Sequence, residues 1–168
     1  MNRHFPRSIH LACVMLLLTA PGVVAHGDPA GGTAATAAPA SAAIPEADLL
    51  QPEELARTLR SSSAQKPLIL QVGSRVLFEQ AHIPGAEYVG AGGQDAGRQA
   101  LSARVKDLKP DQLLVIYCGC CPWTKCPNIR PAYEQLHELG FTRVKVLYLA
   151  DNFGTDWVDR EYPVARGN

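Results

Sequence analysis

The stretch Leu113-Leu114-Val115-Ile116-Tyr117-Cys118-Gly119-Cys120-Cys121-Pro122-Trp123-Thr124-Lys125-Cys126-Pro127-Asn128 decides the reading of this chain. Its first five residues are apolar without alternation, as in a strand of a parallel sheet that is covered on both faces. The run ends in a thiol, and three more follow at Cys120, Cys121 and Cys126. In open α/β sheets, ligands gather beyond the carboxyl ends of the strands, where loops run into the following helices. Cys118 stands at such a place, so its position alone makes it a site candidate.

Working outward, Pro67 to Val72 and Val144 to Leu149 are two further runs of the same apolar kind. Helical patterns lie between and before them. Gln51-Pro52-Glu53-Glu54, followed by Leu55 and Leu59, sets proline and acidic residues at a helix start. Gln94 to Lys106 predicts a second helix. Ile129 to Leu139 predicts another, stopped by Gly140, the residue most at ease in a left-handed C-terminal cap. Alternation of strand and helix gives an α/β class with a parallel sheet between layers of helix. At 168 residues, the chain has room for one such domain, placed at residues 46–168.

Upstream, Arg3 and Arg7 precede an apolar run from Leu11 to Leu18, and Val23 and Ala25 offer the small residues of a cleavage site. Residues 1–25 therefore read as a signal peptide, residues 26–45 as an Ala/Pro/Gly-rich linker, and the mature protein as periplasmic or secreted. The apolar run is short for a bilayer, so no stable span is expected after cleavage. Sixteen basic residues balance sixteen acidic ones, which leaves no net field to attract nucleic acid.

Of the five cysteines, Cys13 falls within the signal and the other four crowd one loop. Stapling cysteines of small secreted folds are spread out, so that each bridge closes a long loop. A single cluster points instead to a site. The neighbours Cys120 and Cys121 are poorly placed to bridge each other; Cys121 with Cys126, or Cys118 with Cys126, suits disulfide geometry better. Zinc or cuprous ion is a further candidate occupant, because both favour soft sulfur. The spacing is unlike paired C-x-x-C knuckles, so no metal and no cofactor is assigned.

Three ordered segments resemble the rhodanese family. Phe78-Glu79-Gln80-Ala81-His82-Ile83-Pro84-Gly85-Ala86 is similar to its F-x-x-G-H-I-P-G-A signature, and Val115-Ile116-Tyr117-Cys118 to the strand that delivers its catalytic cysteine. Leu139-Gly140-Phe141, Val146, Trp157 and Tyr162-Pro163-Val164 resemble its tail, where a helix, the last strand and a terminal tryptophan-containing helix follow in that order. The resemblance implies a three-layer domain with a mostly parallel five-stranded sheet. It also implies sulfur transfer through a persulfide on Cys118, stabilised by loop amides such as that of Gly119 and by the start of the next helix. The implied partners are a small sulfur donor or thiol acceptor, with a redox partner protein as a further candidate.

Within this reading Lys125 and Arg130 are candidate cations for an anionic donor, and Trp123 lines or caps the loop. Cys120, Cys121 and Cys126 are candidate resolving thiols, and His82 is structural. The alternatives are a thiol-disulfide redox protein and a copper- or zinc-binding module on the same fold. The chain departs from the family pattern at Gln71 and Gly73, where an Asp and an Arg are usual, and in its longer loop with four cysteines.

Overall fold

A computed structural model describes residues 43–62 and 66–167. The proposed signal peptide and nearly all of the linker lie outside the described residues. The strands are β1 (Leu49–Leu50), β2 (Leu68–Gln71), β3 (Glu87–Tyr88), β4 (Leu114–Tyr117) and β5 (Val144–Leu147). The helices are α1 (Pro52–Arg60), α2 (Arg75–Gln80), α3 (Asp95–Val105) and α4 (Ile129–Glu138). One five-stranded sheet in the order β1-β5-β4-β2-β3 holds them together, and every pairing in it is parallel.

The three apolar runs became β2, β4 and β5, the sheet's middle strands. Leu70, Leu114, Ile116, Val144 and Val146 face α3 and α4, whose Leu101, Val105, Ala132 and Leu136 close that side. Ile69, Val115, Tyr117 and Leu147 face the other way, against Leu55 and Ala56 of α1 and the tail residues Phe153 and Trp157. Two buried faces explain the lack of polar alternation in the sequence. Trp157 is 0% exposed, and its indole N–H donates to the Pro163 carbonyl at 2.8 Å, so its one polar atom is satisfied.

Helix limits follow local chemistry. Pro52 is the first residue of α1, Gln94 caps α3, and Gly140 follows α4 at a φ of +90°, where a side chain would be strained. The tryptophan segment differs from the expected ordinary helix: Gly154–Val158 is a π-helical turn. Strands β1 and β3 and the six-residue α2 were not placed from the sequence.

Two features bring the sheet's carboxyl end into register as a platform. Gln71 at the end of β2 pairs with Tyr117 at the end of β4, so the residues that follow both strands emerge side by side. His82 stacks on Phe78 with ring centroids 3.9 Å apart and donates from Nδ1 to the Phe78 carbonyl at 2.8 Å. Its main chain also exchanges bonds with Ala165. His82 thus ties α2 to the C-terminal tail, the structural role expected of it.

Candidate active site

Cys118 is the first residue after β4 and only 3% exposed. Gly119 follows at a φ of +72°, and a Cβ there would sit 2.6 Å from Cβ of Phe153. Glycine lets the chain reverse here, which returns Cys120 Sγ to 3.0 Å from Cys118 Sγ. Cys121 Sγ lies 3.3 Å from Cys120 Sγ. The 3-10 turn Trp123–Lys125 then folds back, with the Cys126 N–H donating to Trp123, and brings Cys126 to the group. All four loop thiols are free. Sulfurs of Cys118, Cys120 and Cys126 lie within 4.8 Å of one another, close enough to converge on one soft cation.

Two side chains missed in the sequence hold this arrangement. The Asn128 amide donates to Cys118 Sγ at 3.3 Å and reaches Cys120 Sγ at 3.8 Å, while its oxygen accepts the Gly93 N–H at 3.0 Å. Gln71 donates to the Cys118 carbonyl at 3.1 Å and accepts from the Gly73 N–H at 3.1 Å. A polar residue ending an apolar strand was the available signal for Gln71. Gly73 has its own reason: a Cβ there would come within 2.8 Å of Cys118 Sγ.

Charge is distributed differently from expectation. The helix-start amides were expected at Cys118, but those of Asn128 and Ile129 donate to Cys126. Cys126 is held down at about 6, chiefly by a hydrogen bond from Cys118 and then by these amides, against the opposing effect of burial. Cys118 is pushed above the ordinary thiol range by its bond to Cys126, by burial and by Cys120, with Asn128 opposing. Burial and the neighbouring thiols push Cys121 up to about 12. Cys118 and Cys126 therefore act as a pair whose first proton is lost near neutrality, with the negative charge resting on Cys126 and shared through the bond.

Cys118 opens into a pocket of about 290 Å³ whose lining includes Gln71, Leu77, Cys118, Gly119, Cys120 and Phe153, and no charged side chain among the described residues. Lys125 and Arg130 are not among its lining residues, contrary to the expectation for substrate-binding cations. Lys125 is exposed on the 3-10 turn. Arg130 pairs with Glu134 at 3.0 Å and borders a separate hollow with Trp123 and Cys126. Trp123 packs on Tyr148, ring centroids 5.1 Å apart; it is outside this pocket's lining and borders a second, narrow hollow with Cys118, Cys121 and Cys126.

Solved structures share this arrangement of elements. The Alr3790 protein from Anabaena sp. is 17% identical over 70% of this chain and 92% of its own, with a TM-score of 0.54. The BH2092 protein from Bacillus halodurans is 20% identical over 70% of this chain and 75% of its own, with a TM-score of 0.53. A full-length protein from Lactobacillus plantarum is 17% identical over 71% and 88%, with a TM-score of 0.53. At such identities the likeness shows the fold alone. No curated protein matches the chain. The Rhodanese-like domain family matches residues 51–149, the span that runs from the start of α1 past β5 and carries all four thiols. With that match across more than half its length, the chain belongs to the rhodanese-like domain family.

Proposed function

We propose that the protein is an exported sulfurtransferase that carries sulfur as a persulfide on Cys118. The observation that supports it is the Cys118 thiol at the carboxyl end of β4, facing the pocket, with the sulfurs of Cys120 and Cys126 within 4.8 Å and Cys126 held down at about 6. Cys118 attacks the outer sulfur of a donor R–S–SH; the new S–S bond forms as the donor's own S–S bond breaks. The Cys118 proton passes to the Cys126 thiolate and then to the departing thiolate, leaving R–SH. An acceptor thiol reverses the sequence and takes the outer sulfur.

The uncharged lining favours a donor without a permanent anionic group. A dianion such as thiosulfate would lose hydration there and meet the charge of the thiol pair, with no cation to compensate. Intact mass after exposure of the reduced protein to benzyl hydropersulfide tests the reading. The expected result is a gain of one sulfur atom in the first moments after mixing, absent in Cys118→Ser. An equal gain in that variant would remove Cys118 from the chemistry. Export is tested separately, by recovery outside the cytoplasm of a chain that begins at His26.

A further inference from the structure

We infer that the site also reduces the sulfur it accepts: Cys120 attacks the Cys118 persulfide, releases sulfide and leaves a Cys118–Cys120 disulfide. This step rests on the persulfide reading above and goes beyond transfer, because the sulfur leaves as sulfide rather than passing intact to an acceptor.

The geometry singles out Cys120 among three candidate thiols. Its sulfur is 3.0 Å from Cys118 Sγ. A disulfide needs about 2.05 Å, so closure requires a shift of about 1 Å. The reversal at Gly119 already points the two side chains at each other. Cys118 and Cys120 also line the same pocket, where the outer sulfur of a persulfide would stand and from which sulfide would leave. Neither Cys121 nor Cys126 lines it. Cys121 bonds to the sulfurs of Cys120 and Cys126 rather than to that of Cys118. Cys126 is held by the amides of Asn128 and Ile129. The proposed bridge differs from both pairs that the sequence favours, Cys121 with Cys126 and Cys118 with Cys126.

The balance is closed within the site. Cys118–S–SH and Cys120–SH become Cys118–S–S–Cys120 and hydrogen sulfide. The Cys120 thiolate supplies the electron pair of the new S–S bond and is oxidised; the bond between Cys118 and the outer sulfur breaks, and the outer sulfur, acting as oxidant, takes that bond's electron pair and leaves as hydrosulfide anion, which is protonated by the proton from Cys120. A second cycle needs an external dithiol to reopen the disulfide.

A single-turnover experiment tests the step. Reduced full-length protein, freed of reductant, is mixed with one equivalent of benzyl hydropersulfide. Sulfide is followed with a selective electrode, and peptides are mapped after alkylation. Wild type is expected to release about one sulfide per chain and to yield a 118–120 disulfide. Cys120→Ser is expected to retain the extra sulfur on Cys118 and to release sulfide at least about tenfold more slowly. A stable persulfide on the wild type without sulfide release overturns the inference but leaves sulfur transfer intact. A disulfide mapped to Cys121 or Cys126 also overturns it, and because that mapping uses the wild type it does not depend on how the variants fold. Absence of sulfur on Cys118 in both wild type and Cys120→Ser would remove the transfer reading itself.

Discussion

Replacement of Cys126 by serine isolates the role of the shared proton. Wild-type Cys126 is held at about 6, against 9.0 for an ordinary thiol. At pH 7 the pair is then about nine-tenths ionised, whereas a thiol of ordinary pKa is about one-hundredth ionised. Serine fits the same space but cannot accept the Cys118 proton near neutrality, and burial keeps Cys118 at or above the ordinary thiol value. Loading of Cys118 at pH 7 should therefore slow by roughly 90-fold. The sign is fixed by the ionised form being the active one. A depressed pKa extends activity down to about pH 6, and activity is lost as the pH falls below that value. Rapid mixing with benzyl hydropersulfide, alkylation and intact mass from pH 5 to about 9 would show a wild-type plateau above about pH 7. The variant should still be climbing about tenfold per unit at pH 8. Because both proteins meet the same donor, its own titration cancels in their ratio. A Cys126→Ser profile superimposable on wild type, in a protein with unchanged circular dichroism, would refute the shared-proton reasoning.

Other consequences are independent of that proton. Thiosulfate should load Cys118 at least about 100-fold less efficiently than benzyl hydropersulfide, because the pocket offers a dianion no cation. Leu77→Arg at its half-exposed lip should raise the thiosulfate rate in a salt-sensitive way; equal rates for the two donors in wild type would contradict this. Gly119→Ala forces a side chain into a left-handed conformation and against Phe153, and should cost about 1–3 kcal/mol in urea unfolding. A loss below about 0.5 kcal/mol would show that the reversal is not constrained. Trp157→Ala empties a fully buried site beneath the sheet, with an expected loss of about 3–5 kcal/mol by the same measurement. An unchanged midpoint would show that the tail does not hold the fold.

The sheet was legible because its middle strands are buried on both faces, and Leu68 to Gln71 and Leu114 to Tyr117 carry that burial in their composition. Strands β1 and β3 are two residues each, too short for any period to show. Helix α2 was obscured for a different reason: Val76 and Leu77 are 62% and 39% exposed, so its apolar residues do not mark a core face. At the site, the thiols announced themselves by type and spacing. Their order of ionisation did not, since it depends on which sulfur the Asn128 and Ile129 amides reach, a matter of loop path. Asn128 was hidden likewise, as one polar residue in a polar loop whose contacts with Gly93 and Cys118 come only from folding.

The departures from the family pattern are physically connected. Where the resemblance leads one to expect an aspartate and an arginine, Gln71 and Gly73 stand against Cys118. Any Cβ at residue 73 would press within 2.8 Å of the Cys118 sulfur, so no longer side chain fits there without displacing the thiol. Gln71 replaces a charge with a neutral bridge that satisfies the Cys118 carbonyl and the Gly73 amide together. The sheet end is thereby stripped of both charges, and the remaining anion is the one shared by Cys118 and Cys126. A site so arranged repels a second anion and sets the Cys120 sulfur, rather than a cation, 3.0 Å from that of Cys118. The loss of the arginine and the gain of nearby thiols thus favour the same outcome, in which sulfur arrives from an uncharged donor and is met by a thiol already in contact.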